Sequence, residues 1–234
     1  MSGFFYIMRH ILIKRSKGGL GDIFMHRMLF EDFKLLYPDI HVSFACPEMY
    51  KDAVIDHPFI DEIIDCKSID RFRPDVVDTS NICNRYELRM SPYGDKHRSD
   101  IWAEHCGIEL TRHSMHFHVS QEETDWAKNK LKTISDGRPT LALSPISAMQ
   151  GKNLDVPTIN ELVNRLSKYN VFVLHNRKIE AINCEQITDC SIRTFISLLN
   201  EVDCVVSVDS AAFHCAGGLG KPLTGIFSFV DGKI

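Results

Sequence analysis

The sequence has no apolar run approaching the ~20 residues that cross a bilayer, no cysteine pair at CxxC spacing, and no excess of positive charge. The first absence leaves no stretch to read as a membrane-spanning helix. The second removes the common zinc and dithiol signatures. The third, with a net charge of −4, removes the whole-surface electrostatic footprint that nucleic acid or an anionic membrane would require. Short-period repeats and low-complexity tracts are also missing. The opening "MSGFFYIMRHILIKRS" is apolar but carries Arg9, His10, Lys14 and Arg15 and has no small-residue cleavage site. It reads as an extended lead into a first strand, not a signal peptide.

The eight cysteines are scattered, several inside apolar runs such as "VSFAC" and "DCVVSV". There they behave as small buried hydrophobes, which suits a reducing, cytoplasmic compartment. The densest grouping of metal-ligating types is Cys106 with His113, His116 and His118. Its spacing matches no zinc signature, so these histidines are assigned structural or surface roles and no metal is expected.

What is present is an alternation. At 234 residues the chain can bury one large core or two small ones. Short Val-, Ile- and Phe-rich runs ("HILIKR", "HVSFAC", "EIIDC", "DVVDTSN") are separated by the long amphipathic "DIFMHRMLFEDFKLLY" and the shorter "EMYKDAVIDH". Residues 97–107 look helical and stop at Gly107, and Ser120 with Glu123 forms a capping box ahead of another helix. "SDGRP" (135–139) punctuates the chain, after which "TLALSP", "VFVLHN", "DCVVSVD" and "PLTGIF" read as strands and "VPTINELVNRLSKY" and "IRTFISLLNEV" as helices. Strand–helix alternation in both halves implies two Rossmann-like α/β domains, each with a parallel sheet covered on both faces. They are expected at 1–136 and 137–234, with a cleft between them. The ending "GIFSFVDGKI" supplies no helix to cover the last strand, so exposed apolar surface, a dimer contact or an incomplete chain is expected there.

Three strand-to-helix loops carry the candidate chemistry. "KGGLGDIF" (17–24) resembles a phosphate loop but lacks the Gly-Lys-Ser/Thr of a P-loop, and Phe24 replaces the third glycine of Gly-x-Gly-x-x-Gly. Asp22 would repel a pyrophosphate, whereas a helix start stabilises an ionised carboxylate. Gly18, Gly19 and Gly21 around Leu20 let another group approach the backbone. That pattern suits a general base facing a hydroxyl; the alternative is a capping aspartate after a tight turn. In "SVDSAAFHCAGGLGKP" (207–222) a strand ends at Asp209, and Ser210 caps a helix whose start, Ala211 and Ala212, is free of bulk. Its free amides could hold an anion; close helix–sheet packing would also explain the small residues. Lys152, in a polar loop before a proline-led helix, could give a phosphate a point charge or lie on the surface. Glu180, after "VFVLHNRKI", could reach a ribose hydroxyl. His26 lies one turn beyond Asp22, and His214 and His97 are structural by default.

Together these loops resemble glycosyltransferase family 9, the heptosyltransferases of lipopolysaccharide core assembly. The shared pattern is "GGLGD" at Gly18–Asp22 and Tyr37-Pro38-Asp39, the Lys152 loop before Pro157, then Asp209, Ser210, His214, Leu219-Gly220 and Pro222. The resemblance implies a GT-B architecture and an inverting, metal-independent enzyme with no cofactor, using a nucleotide-diphospho-sugar, often ADP-heptose, as co-substrate. It implies Asp22 as base, Lys152 on phosphate, and Asp209, Ser210, Ala211, Ala212 and His214 beside the donor. The acceptor implied is a glycan or lipid-linked saccharide, which leaves peripheral contact at the inner membrane face open; no nucleic acid is expected as a partner. The chain departs from the family at Ala211, often glycine, at Met28, often proline, and at "HNRKIE", where Gly-Gly-Pro-x-Glu is usual. It is also shorter than typical members. The alternative is a non-catalytic nucleotide-sugar-binding or scaffold protein descended from such an enzyme.

Overall fold

Strand β1 (His10–Lys14) is central because three consecutive apolar residues, Ile11, Leu12 and Ile13, can be buried on both faces of a parallel sheet. It pairs in parallel with β2 (His41–Cys46) on one side and β4 (Val76–Asp78) on the other, and β3 (Glu62–Asp65) adds to β2. The order is β3-β2-β1-β4. This computed structural model describes residues 10–69, 76–82 and 96–228. The expected extended lead over 1–9, Cys83 and the terminal "FVDGKI" lie outside those residues.

The long amphipathic stretch is two helices, not one. Helix α1 (Leu20–His26) passes through a tight turn at Arg27–Leu29 into α2 (Phe30–Leu36). The turn lets Phe24, Phe30 and Phe33 all be fully buried, with Phe30 edge-on to Phe44 at 5.1 Å. "EMYKDAVIDH" forms only a 3₁₀ segment, Glu48–Ala53, as β-branched Val54 and Ile55 follow and Pro58 bars continuation. Helix α3 (Arg98–His105) ends where Gly107 takes φ +79°. The Gly107 and Ile108 amides donate back to Glu104 and Ala103, satisfying the last carbonyls.

The contacts of the chain divide between His116 and Phe117 into two compact units. The second begins with α4 (Gln121–Lys132), whose Ser120–Glu123 capping box forms, and α4 packs on α6 (Ile192–Glu201). The "SDGRP" turn lies within this unit, between α4 and β5 (Thr140–Ser144). The unit continues through α5 (Val156–Arg165), β6 (Asn170–Leu174), β7 (Glu185–Ile187), β8 (Cys204–Val208), α7 (Ala211–Gly218) and β9 (Leu223–Ile226). All pairings are parallel, in the order β7-β6-β5-β8-β9. Leu141, Leu143, Ile159, Val171 and Val173 form the core of one face. Edge strand β7 is three residues of polar sequence, "EQI", and had no apolar run to announce it.

Both sheets reverse direction at their first strand. The chain runs from β1 to β2 and β3 on one side and then places β4 on the other; β5 stands in the same relation to β6, β7 and β8. The loops leaving β1 and β4, and those leaving β5 and β8, therefore diverge at a crevice beyond the strands' carboxyl ends. Open α/β sheets bind ligands at such places.

Candidate functional site

In the first unit, the loop after β1 is built around a carboxylate. Gly18 has φ +101°, and a Cβ there would stand 2.5 Å from Asp22 Oδ2. The close approach that Gly18 permits is thus filled by Asp22 itself, whereas Gly19 has open space around it. Gly19 caps α1, and its N–H donates to Asp22 Oδ2 at 2.9 Å. Leu20 and Gly21 form the first turn, with Asp22 as the third helical residue. There the helix dipole favours negative charge. On Oδ1, Asp22 accepts from Arg15 Nη2 at 2.9 Å and lies 3.4 Å from Arg98 Nη1.

Arg15 is only 4% exposed. It also donates to the Thr79 carbonyl at 2.5 Å and to that of Ile82 at 3.4 Å, and its guanidinium stands 4.7 Å over the Trp102 ring. His26 is fully buried and stacks on Trp102 at 4.0 Å. Burial, reinforced by the Arg15 charge, lowers its pKa to about 3, so the ring is neutral. Its Nδ1–H donates to the Asp22 carbonyl at 2.7 Å, because a carbonyl can only accept. Nε2, 2.8 Å from Thr79 Oγ1, is then the unprotonated nitrogen, and it shares the threonine hydroxyl with the Lys14 carbonyl, 3.1 Å from the same oxygen. His26 therefore fixes the Asp22 backbone. Ser16 bonds Ser80 through both its N–H and its hydroxyl, and Lys17 Nζ donates to Asn81 Oδ1 at 2.6 Å, tying the β1 and β4 loops together.

The second unit gathers four of the residues singled out in sequence. The loop after β5 is self-braced: Ser147 N–H donates to Asn153 Oδ1, and Asp155 caps α5. It delivers Lys152 Nζ onto Asp209 Oδ2 at the end of β8. His214 Nε2 lies 3.4 Å from Asp209 Oδ1. Burial pushes the Asp209 carboxyl up, but its bonds to His214 and Lys152 outweigh that and hold it well below the usual carboxylate range. Ser210 caps α7, accepting from the Ala212 N–H at 3.3 Å, and lies 3.0 Å from Ser207 Oγ. Ala211 and Ala212 form the first turn of α7.

Other candidates fall elsewhere. Glu180 is exposed and shares no hydrogen bond or ion pair with this cluster. His113 bonds Asp100 and His116 bonds Glu31, each at 2.7 Å, while Cys106 is buried. Among the described residues no three metal-ligating side chains come together, and no helix is long and apolar enough to cross a membrane. Sequence reading passed over Arg15, Arg98, Trp102 and Thr79. For Arg15 a signal existed: an arginine closing an apolar run just before the loop. Arg98 and Trp102 arrive on α3, with no local pattern pointing back to residue 22.

Residues 96–232 match the model of glycosyltransferase family 9 (heptosyltransferase). No curated protein matches the chain in sequence. Among solved structures, a glycosyltransferase family 9 protein of Veillonella parvula aligns with TM-score 0.71 and 14% identity, over 97% of this chain and 85% of its own. The ADP-heptose lipopolysaccharide heptosyltransferase II of E. coli aligns with TM-score 0.68 and 15% identity, over 93% and 84%. TibC of enterotoxigenic E. coli, an iron-containing dodecameric heptosyltransferase solved with ADP-D-beta-D-heptose, aligns with TM-score 0.65 and 12% identity, over 95% and 59%. At such identities the likeness is one of fold: two parallel-sheet α/β domains of the GT-B type.

Proposed function

This chain belongs to glycosyltransferase family 9, the heptosyltransferases, and from that premise we propose that it moves a heptose-like sugar from a nucleotide-diphospho-sugar to a glycan hydroxyl, inverting the anomeric centre without a metal ion. The donor is ADP-heptose or a close analogue, as in TibC, and the acceptor is of the lipopolysaccharide type. Asp22 takes the acceptor hydroxyl's proton as its oxygen attacks the anomeric carbon. The new C–O bond forms while the bond to the diphosphate oxygen breaks, and the electron pair leaves on the nucleoside diphosphate. One displacement from the face opposite the leaving group inverts the centre. Gly18 to Gly21 shape the acceptor side.

The observation that carries the reading is the meeting of Lys152, Asp209, Ser210 and His214 at the carboxyl ends of β5 and β8. Lys152 and the α7 helix start, through the Ala211 amide, stabilise the departing charge, the part a metal ion would otherwise play; the Ala212 N–H is already taken by the Ser210 hydroxyl, so Ala212 contributes only its small side chain. Asp209 and His214 sit beside the sugar and its phosphates; Glu180, exposed and outside this cluster, has no part in the step. A cytoplasmic location, with peripheral contact at the inner membrane face, goes with a lipid-linked acceptor.

ADP release from ADP-heptose, followed with and without a chelator, tests this reading. Release that survives the chelator and rises with a heptose-accepting glycan is expected. Release that depends on added iron would overturn the metal-free mechanism, and no binding or turnover of any nucleotide-sugar would overturn the whole reading.

A further inference from the structure

The two oxygens of Asp22 are held differently. Oδ2 accepts the Gly19 N–H and is walled by Gly18, where a Cβ would come within 2.5 Å. Oδ1 faces two guanidiniums, and these are not equivalent. Arg15 is buried, bonded to the Thr79 and Ile82 carbonyls and stacked on Trp102; it is fixed. The Arg98 side chain is 23% exposed and reaches Oδ1 only at 3.4 Å. It makes no other hydrogen bond or ion pair among the described residues. A guanidinium has five N–H donors, so Arg98 has donors to spare. Lys17 adds a further positive charge on the same loop.

We propose that Arg98 is an exchangeable cap on Asp22, drawn off by an anionic group, a carboxylate or phosphate, next to the acceptor hydroxyl. The proposal rests on the reading of Asp22 as base. In the capped state Arg15 and Arg98 occupy the Oδ1 lone pairs, and Oδ2 already accepts the Gly19 N–H. When the acceptor's anion pairs with Arg98, Oδ1 regains a lone pair for the hydroxyl proton. The proton moves from that hydroxyl to Oδ1 as the glycosidic bond forms and the donor's C–O bond breaks. An acceptor without the anion meets a capped base. Arg98 is thereby a specificity-determining residue: it couples recognition of an acidic acceptor to exposure of the base.

Inorganic phosphate is the probe, titrated by calorimetry in a Lys152→Ala background so that the second unit's lysine does not compete. Phosphate should bind; Arg98→Ala and Arg98→Gln should weaken it tenfold or more; Asp22→Asn should tighten it several-fold by removing the competing carboxylate. Arg98→Gln keeps the stem packed and guards against a folding artefact. With Lys152 restored and water as acceptor, phosphate should stimulate donor hydrolysis, and Arg98→Gln should hydrolyse faster than wild type and ignore phosphate. Equal phosphate binding with and without Arg98, or unchanged binding in Asp22→Asn, overturns the proposal. If Arg98→Gln loses phosphate while Asp22→Asn hydrolyses donor at the wild-type rate, the capture of an anion by Arg98 stands and the base reading falls.

Discussion

Gly18 and Asp22 are in contact: the Gly18 Cα lies so near the carboxylate that a Cβ would stand 2.5 Å from Oδ2. With φ +101° at the same residue, both the backbone conformation and the space demand glycine. Gly18→Ala should cost about 1–3 kcal/mol from the strained backbone alone and displace the carboxylate. At Gly19, with open space around it and an extended backbone, alanine should cost only the N-cap preference for glycine over it, about 0.5–1 kcal/mol, and leave the carboxylate in place. Chemical denaturation and transfer assays on the two variants check the contrast; equal tolerance at both positions would dismiss a steric role for Gly18.

Asp22→Asn should lose transfer by ~10²–10⁴-fold, the usual worth of a general base, and leave nucleotide binding alone. It should also destabilise the first unit by about 1–3 kcal/mol, because Arg15, 4% exposed, keeps its charge and loses its carboxylate. Transfer rates and urea melts on the same variant separate the two effects. Near-wild-type transfer with reduced stability would make Asp22 a helix cap and nothing more.

Lys152→Ala should remove the rise in melting temperature that ADP produces without metal, since a ligand that binds only the native state stabilises it. The unliganded protein should also soften by about 1–2 kcal/mol, because Asp209 keeps His214 but loses its lysine. Asp209→Asn in the same chain should restore part of that loss. An unaltered ADP response would place Lys152 outside donor binding.

Acid should weaken the first unit well before its carboxylates titrate. Burial, with Arg15 beside His26 and Arg27 beside His57, lowers both pKa values to about 3 from an ordinary 6.5. The unfolded chain therefore binds protons between pH 6.5 and 3 that the folded chain refuses. Stability contributed by the neutral rings is complete above about 6.5 and falls as pH drops, by up to about 1.4 kcal/mol per pH unit for each histidine. Urea unfolding at pH 7, 6 and 5 measures the slope, and His57→Gln should roughly halve it. A flat profile over that range would show that the folded protein admits the protons.

The sequence alone determined the two parallel-sheet units, because strands buried on both faces must be continuous apolar runs, and runs such as "HILIK", "HVSFAC" and "TLALS" are visible locally. It also placed the strand-to-helix loops that carry Asp22, Lys152 and Asp209, since glycines, caps and small residues are needed where they stand. What those residues touch follows from the packing of segments far apart in the chain. Strand order brings the β5 and β8 loops together and sets Lys152 on Asp209; α3 carries Arg98 and Trp102 across to the β1 loop. The polar edge strand β7 and the break between α1 and α2 were likewise settled by pairing and packing. Periodicity and turn chemistry act over a few residues and leave a trace in the chain. Ion pairs and stacking between distant elements depend on where the folded backbone places them, and no local pattern records that.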